Sequence, residues 1–231
     1  MPANNAQTWK LAVCLFTNIT TLDFQGPIEQ IGFLSPQNVL SAASDPYHID
    51  SKIAIEPVFL GPTSEPVKAF SGPNLVPTKS YDDVGAEEQF DILLVPGGPE
   101  TGTSPANISP SVIAFLKRQA PGAKYVLSVC TGSWILAQAG LLRGKRATTN
   151  KSSFSRIAAT KAEDVHWIPR ARWTVDGNYW TSSGVTAGID MTHAFLTHLV
   201  GEEVSRAIGG IVEVSVREAG DDEFASFYNL V

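Results

Sequence analysis

Cys130 stands at the junction between an apolar run and a helix-like pattern in residues 125–142, YVLSVCTGSWILAQAGLL. A thiol held there lies near the unpaired N–H groups and positive end of the helix, which favours thiolate and makes the sulfur a nucleophile. Gly132, two residues on, suits the tight turn of a nucleophile elbow. The N–H of Thr131, together with one from Gly97 or Gly98, is placed to bind a developing negative charge. Cys14, inside LAVCLF, reads instead as a small apolar filler. That bland reading is open to Cys130 too, but a filler gains nothing from Thr and Gly directly after it.

The elements that must hold these residues alternate along the chain. LAVCLF (11–16), DILLVPGG (91–98) and YVLSV (125–129) are short apolar runs that fit strands buried on both faces. Residues 49–60 and 70–76 also read as strands, separated by the turn-rich GPTSEP. Helical patterns follow in TTLDFQGPIEQIGFLS, with Pro27 in a first turn, and in SVIAFLKRQA, GSWILAQAGLL and KSSFSRIAATKAE. The short RATT run is another strand, and Asp176-Gly177 between aromatic, β-branched arms signals a β-hairpin. A long helix begins near Ile189, with a break expected at Gly209 and Gly210. The repeated strand, glycine turn and helix predict an α/β fold with a mostly parallel sheet and helices on both faces. In such sheets ligands collect outside the carboxyl ends of the strands. Asp23, Gly97-Gly98, Cys130-Thr131 and Gly184-Val185 each follow an apolar run, so all four converge on one rim.

With 231 residues the chain fits one domain, 1–231, with a polar N-terminal tail (1–9) and an acidic C-terminal tail (219–231) whose simplest reading is a frayed end. The charged fraction of 17% beside 43% hydrophobic residues describes an ordinary globular protein. A net charge of −6, with Lys and Arg scattered, offers no footprint for nucleic acid or an anionic membrane. No secretory signal and no apolar run long enough to span a bilayer is visible, and two cysteines make no disulfide framework. A cytoplasmic location is the expectation. His193 and His198 are five apart on a helix and do not share a face, so no metal site is expected. Trp134, Trp167, Trp173 and Trp180 read as core or interface residues.

SVCTGS, combined with LVPGG upstream and GVTAGID downstream, resembles the ThiJ/PfpI superfamily. The resemblance spans most of the chain and implies a flavodoxin-like three-layer sandwich with an elbow cysteine. LDFQGP, GLLRGKRATT and SGVTAGID look most like its isocyanide hydratase branch, which is related to domains of certain AraC-type regulators. That likeness places Asp23 beside Cys130, where a carboxyl is pushed towards its protonated form and can exchange a proton with sulfur or an intermediate. The competing use of Asp23 is a helix N-cap. Many relatives carry a histidine directly after the TT pair, whereas this chain has Asn150, which is no general base near neutral pH.

The resemblance implies a cofactor-independent homodimer acting on a small-molecule substrate. The expected reaction is hydration of an isocyanide to an N-formamide, with Cys130 as nucleophile, Asp23 as general acid and base, and Gly97, Gly98, Thr131, Gly184 and Val185 holding substrate. Glyoxalase-like conversion of an α-oxoaldehyde, tailoring of a secondary metabolite, and a non-enzymatic cysteine redox sensor are the alternatives.

Overall fold

Short apolar runs pair side by side and are covered on both faces, as their composition demands; Ile92–Val95 is buried at every position. The structure, a computed structural model, describes residues 6–99, 101, 108–160 and 164–231. Strands β1 (Gln7–Cys14), β2 (Ile53–Gly61), β5 (Lys79–Ser80), β6 (Ile92–Val95), β7 (Tyr125–Ser128), β10 (Trp173–Asp176) and β11 (Tyr179–Ser182) make one sheet in the order β10-β11-β7-β6-β1-β2-β5. Every pairing is parallel except that of β10 with β11. The added hairpin is therefore present, and its two-residue loop is Gly177-Asn178, one position later than the Asp-Gly pair suggests.

Strand order assigns the layers. From β1 the chain crosses through α1 (Thr21–Ile31) and α2 (Pro36–Val39) to β2 on one side. From β6 it crosses through α3 (Pro110–Gln119) to β7 on the other. Right-handed crossovers in opposite directions put their helices on opposite faces. Helix α4 (Gly132–Gln138) packs against α3 and the underlying strands, and α6 (Thr186–Val200) packs against α1, completing a flavodoxin-like sandwich. The order reverses between β1 and β6, so the crevice for a ligand opens at their carboxyl ends.

Several boundaries differ from the sequence-based expectation. Strand β1 begins at Gln7, within the polar N-terminal segment, because residues 7–9 pair with Ile53, Ala54 and Ile55 and bury Trp9. The strand expected over 70–76 is instead a small ribbon, β3 (Val67–Lys68) with β4 (Asn74–Leu75), folded about Gly72 at φ 102°. RATT supplies β8 (Arg146–Ala147), which pairs outside the main sheet with β9 (His166–Trp167). Helix α4 stops at Gln138 rather than running to Leu142, because Gly140 turns into the left-handed region at φ 76°. The long last helix breaks at Gly201, not at Gly209-Gly210. Gly201 has φ 89°, and α7 (Glu202–Ile211) passes straight through the later pair. Helix α5 (Lys151–Ala159) occupies the KSSFSRIAA pattern. The last part of that pattern (161–163) and most of the loop at 99–109 lie outside the described residues.

Candidate active site

The elbow begins where β7 runs out. Cys130 has φ 60°, a conformation seldom adopted by residues with a Cβ. Its backbone is held on two sides. The N–H donates to the Ser183 carbonyl at 2.9 Å, and the carbonyl accepts from the Thr149 and Ser133 hydroxyls, each at 3.1 Å. Gly132 is required two residues on, because a Cβ there would overlap the Val95 carbonyl oxygen and meet the Pro96 oxygen at 2.9 Å. Strand β6 thus presses directly against the turn.

Three donors surround the sulfur. Asn150 Nδ2 donates to Sγ at 3.2 Å, and the N–H groups of Thr131 and Val185 also point to it. Asn150 is the N-cap of α5, and its Oδ1 accepts from the Ser152 N–H at 2.9 Å and the Ser152 hydroxyl at 2.6 Å. The capping bonds fix which end of the amide faces the thiol. A side chain at Gly184 would meet Nδ2 at 2.7 Å, so glycine leaves room for the carboxamide. Val185, at φ 26°, is a β-branched residue in a strained conformation, held at the start of α6 with its N–H towards sulfur.

Asp23 is the third residue of α1 and is fully buried. Its Oδ2 accepts from the Gly97 N–H at 3.0 Å, Oδ1 has no hydrogen-bond partner, and the carboxyl lies beside the Cys130 thiol, near enough to shift its ionisation. Burial pushes Asp23 up from 3.8 to about 7, against the pull of the Gly97 N–H and the Cys130 thiol. The N-cap role falls away: Thr20 precedes the helix, and the Asp23 side chain reaches across to the end of β6 instead.

Two features of the site bear on what the sequence leads one to expect. Cys130 is 6% exposed, and burial, reinforced by the neighbouring Asp23 charge, pushes its thiol up from 9.0 to about 12. The donors from Thr131, Asn150 and Val185 pull the other way and lose. A seven-residue helix and three N–H donors do not replace the hydration a thiolate gives up. Burial therefore works against the thiolate expected from the helix end. Secondly, the glycine N–H groups are already engaged. That of Gly97 goes to Asp23, and that of Gly98 goes to the Thr131 hydroxyl at 3.0 Å, which returns a bond to the Gly98 carbonyl at 2.9 Å. Gly97 and Gly98 therefore position Asp23 and Thr131 and offer no free donor to a substrate.

Asp23, Gly97, Gly98, Cys130, Thr131, Gly184 and Val185, all singled out by the sequence, meet at the rim formed by β1, β6, β7 and β11. Two further contributors escape a sequence reading. Asn150 stands out there only as a missing histidine, although an Asn two residues before Ser at a helix start is a capping signal. The C-terminal segment has the composition of a frayed end, yet Asp222 is 4% exposed and paired with the buried Lys151. A cavity of about 240 Å³ opens beside the sulfur's donors, walled by Asn150, Ser183, Gly184, Val185, Phe224 and Tyr228 among others. Among the described residues no group of His, Cys, Asp and Glu converges as metal ligands, and no helix is long and apolar enough to cross a membrane.

A flavodoxin-like sandwich carrying a cysteine on a left-handed elbow, with a buried carboxyl beside it, defines a class of elbow-cysteine α/β proteins. Within that class, the chain belongs to the DJ-1/PfpI family, whose sequence profile matches residues 24–198. It is 35% identical over 199 residues to an isonitrile hydratase of Pseudomonas putida, covering 86% of this chain and 75% of that protein. It is 28% identical over 199 residues to the HTH-type transcriptional regulator GbdR of Pseudomonas aeruginosa, covering 80% of this chain and 49% of the regulator. Among solved structures, a ThiJ/PfpI family protein from Pseudomonas syringae superposes with a TM-score of 0.74 at 23% identity, covering 100% of this chain and 88% of that one.

Proposed function

We propose that the protein hydrates a small electrophile, an isocyanide, to the N-substituted formamide. The observation that carries this reading is the fully buried Asp23 carboxyl beside the Cys130 thiol, close enough that each shifts the other's ionisation. The 35% identity to an isonitrile hydratase supports the choice of substrate.

The chemistry balances with these two groups and water. As Cys130 Sγ bonds to the terminal isocyanide carbon, the Asp23 carboxylate takes the thiol proton. The adduct carbon then carries the electron pair and receives that proton from Asp23, giving a thioformimidate on sulfur. Asp23, again a carboxylate, removes a proton from water as the water oxygen bonds to the same carbon, and the C=N pair moves to nitrogen, which takes that proton. Finally the C–S bond breaks, the hydroxyl proton returns through Asp23 to sulfur, and the formamide leaves with the thiol restored. Asn150 Nδ2 and the Thr131 and Val185 N–H groups stabilise sulfur while it is anionic, which matters because the resting thiol is pushed up to about 12. A carboxyl near 7 is matched to giving and taking protons at neutral pH.

The proposed homodimer rests on the resemblance, and the proposed cytoplasmic location on a sequence with two cysteines and no visible secretory signal. Loss of benzyl isocyanide and appearance of N-benzylformamide, followed by NMR, test the reaction. Cys130→Ala is expected to reduce the rate to that of buffer; turnover equal to the parent protein would remove the thiol from the mechanism.

A further inference from the structure

We infer that the C-terminal segment forms the wall that selects the substrate's substituent, with Phe224 and Tyr228 as specificity-determining residues for a neutral, aromatic or bulky apolar group. The inference rests on the reading of Cys130 as the nucleophile that meets a small electrophile.

The segment is fastened beside the elbow by buried bonds. The Arg172 N–H donates to the Ala219 carbonyl at 2.7 Å, and the Arg217 N–H donates to Asp190 Oδ1 at 3.1 Å. Asp222 Oδ2 accepts from the Ala171 N–H at 3.0 Å and pairs with Lys151 Nζ at 3.3 Å. Asp222 Oδ1 accepts from the N–H groups of Phe224 and Ala225 at 3.1 and 3.3 Å, so one carboxylate both anchors the segment and starts helix α8 (Phe224–Phe227). Lys151 follows Asn150 directly and donates also to Thr148 Oγ1 at 2.7 Å and the Ala171 carbonyl at 2.8 Å. The anchor of the wall and the donor to sulfur are consecutive residues of one helix start.

The cavity between them has a definite chemical character. Lys151, Arg172 and Asp222 are its charged lining residues, and none faces it unpaired. Lys151 is neutralised by Asp222, and Arg172 is held by Asp190 through Nε at 2.7 Å and through Nη2. A charged substituent would find no free counter-ion and would lose its hydration. Phe224 and Tyr228, 44% and 42% exposed, contribute aromatic surface that a ring on the substrate would cover. The remaining polar groups near the opening are neutral: Asn150, Ser152, Ser183 and Thr186.

The test compares a large with a small electrophile by two routes. One measures the ratio of kcat/KM for benzyl isocyanide to that for methyl isocyanide. The other measures the ratio of alkylation rates of Cys130 by N-phenyl iodoacetamide and by iodoacetamide, read by intact mass, with Cys130→Ala as the control for the buried Cys14. In the Phe224→Ala/Tyr228→Ala variant both ratios are expected to fall about tenfold, the effect of taking away the rings against which the larger electrophile stacks. Asp222→Asn, which keeps the shape but removes the charge that holds Lys151, is expected to lower the same ratios in the same direction. If the double alanine variant melts early, Phe224→Leu/Tyr228→Leu keeps apolar volume without the rings and serves in its place. Isocyanide turnover with unchanged ratios in a folded variant overturns the wall and leaves the hydratase reading standing. No isocyanide turnover with a fallen alkylation ratio does the reverse.

Discussion

Burial raises the Asp23 carboxyl to about 7, so the stability of the fold and the activity proposed for it should both depend on pH. Its folded value lies above the 3.8 of a free side chain, so the fold holds this proton more tightly than the unfolded chain does. The stabilisation is complete below about pH 4 and is lost as pH rises through 7. Asp23→Asn keeps an oxygen for the Gly97 N–H but cannot ionise. Urea denaturation should find it more stable than the parent at pH 8, by up to about 4 kcal/mol, with the advantage vanishing towards pH 4. The proposed reaction needs the carboxylate to take the thiol proton, so kcat/KM should climb with pH through an apparent value near 7 that belongs to the Asp23–Cys130 pair. The same substitution should abolish that limb together with turnover. A parent profile flat from pH 5 to 9 would exclude Asp23 as the proton acceptor. Asp23 and Cys130 are legible in the sequence as residues, because each follows an apolar run. Their ionisation is not, because it is set by burial, and burial comes from elements distant in the chain.

At the scale of elements, the elbow works because two backbones nearly touch. Strand β6 presents the Val95 carbonyl where a side chain at position 132 would sit. Gly132→Ala should therefore cost at least about 2 kcal/mol, since the clash is with backbone, which cannot swing aside. Thermal unfolding checks this, and a melting temperature equal to that of the parent would mean that the elbow relaxes freely. The strands are readable from short apolar runs, and the hairpin from its Asp-Gly pair and aromatic arms. Element ends are less legible for a common reason. Gly140 and Gly201 stop helices because they adopt positive φ, whereas Gly209 and Gly210 sit inside α7 with ordinary helical geometry. Composition alone does not say which glycine will take the left-handed conformation.

For the whole molecule, the C-terminal segment changes the meaning of the site. Asp222 reaches back across the chain to Lys151, and both side chains are 2% exposed. Removing one member strands the other in a place without water. Asp222→Ala should thus cost about 3–5 kcal/mol of unfolding free energy in urea denaturation. A loss under about 1 kcal/mol, the size of an exposed ion pair, would mean that the segment is only loosely seated. The regulator relative is about twice as long as the region it shares with this chain, since that region spans 49% of it. The same sandwich therefore occurs within longer proteins, and what this chain does rests on residues at its rim rather than on its fold.

The order of apolar runs, glycine turns and helical patterns determined the sandwich, because periodicity and crossover handedness are local properties of the chain. It also determined that Asp23, Gly97-Gly98, Cys130-Thr131 and Gly184-Val185 share one rim, since strand ends in a parallel sheet converge. Only the tertiary structure decided that Cys130 is buried beside Asp23, that the glycine N–H groups are already engaged, that Asn150 faces the sulfur, and that Asp222 lines the cavity. Each of these depends on which groups lose water together, and that is fixed by packing between segments far apart in sequence.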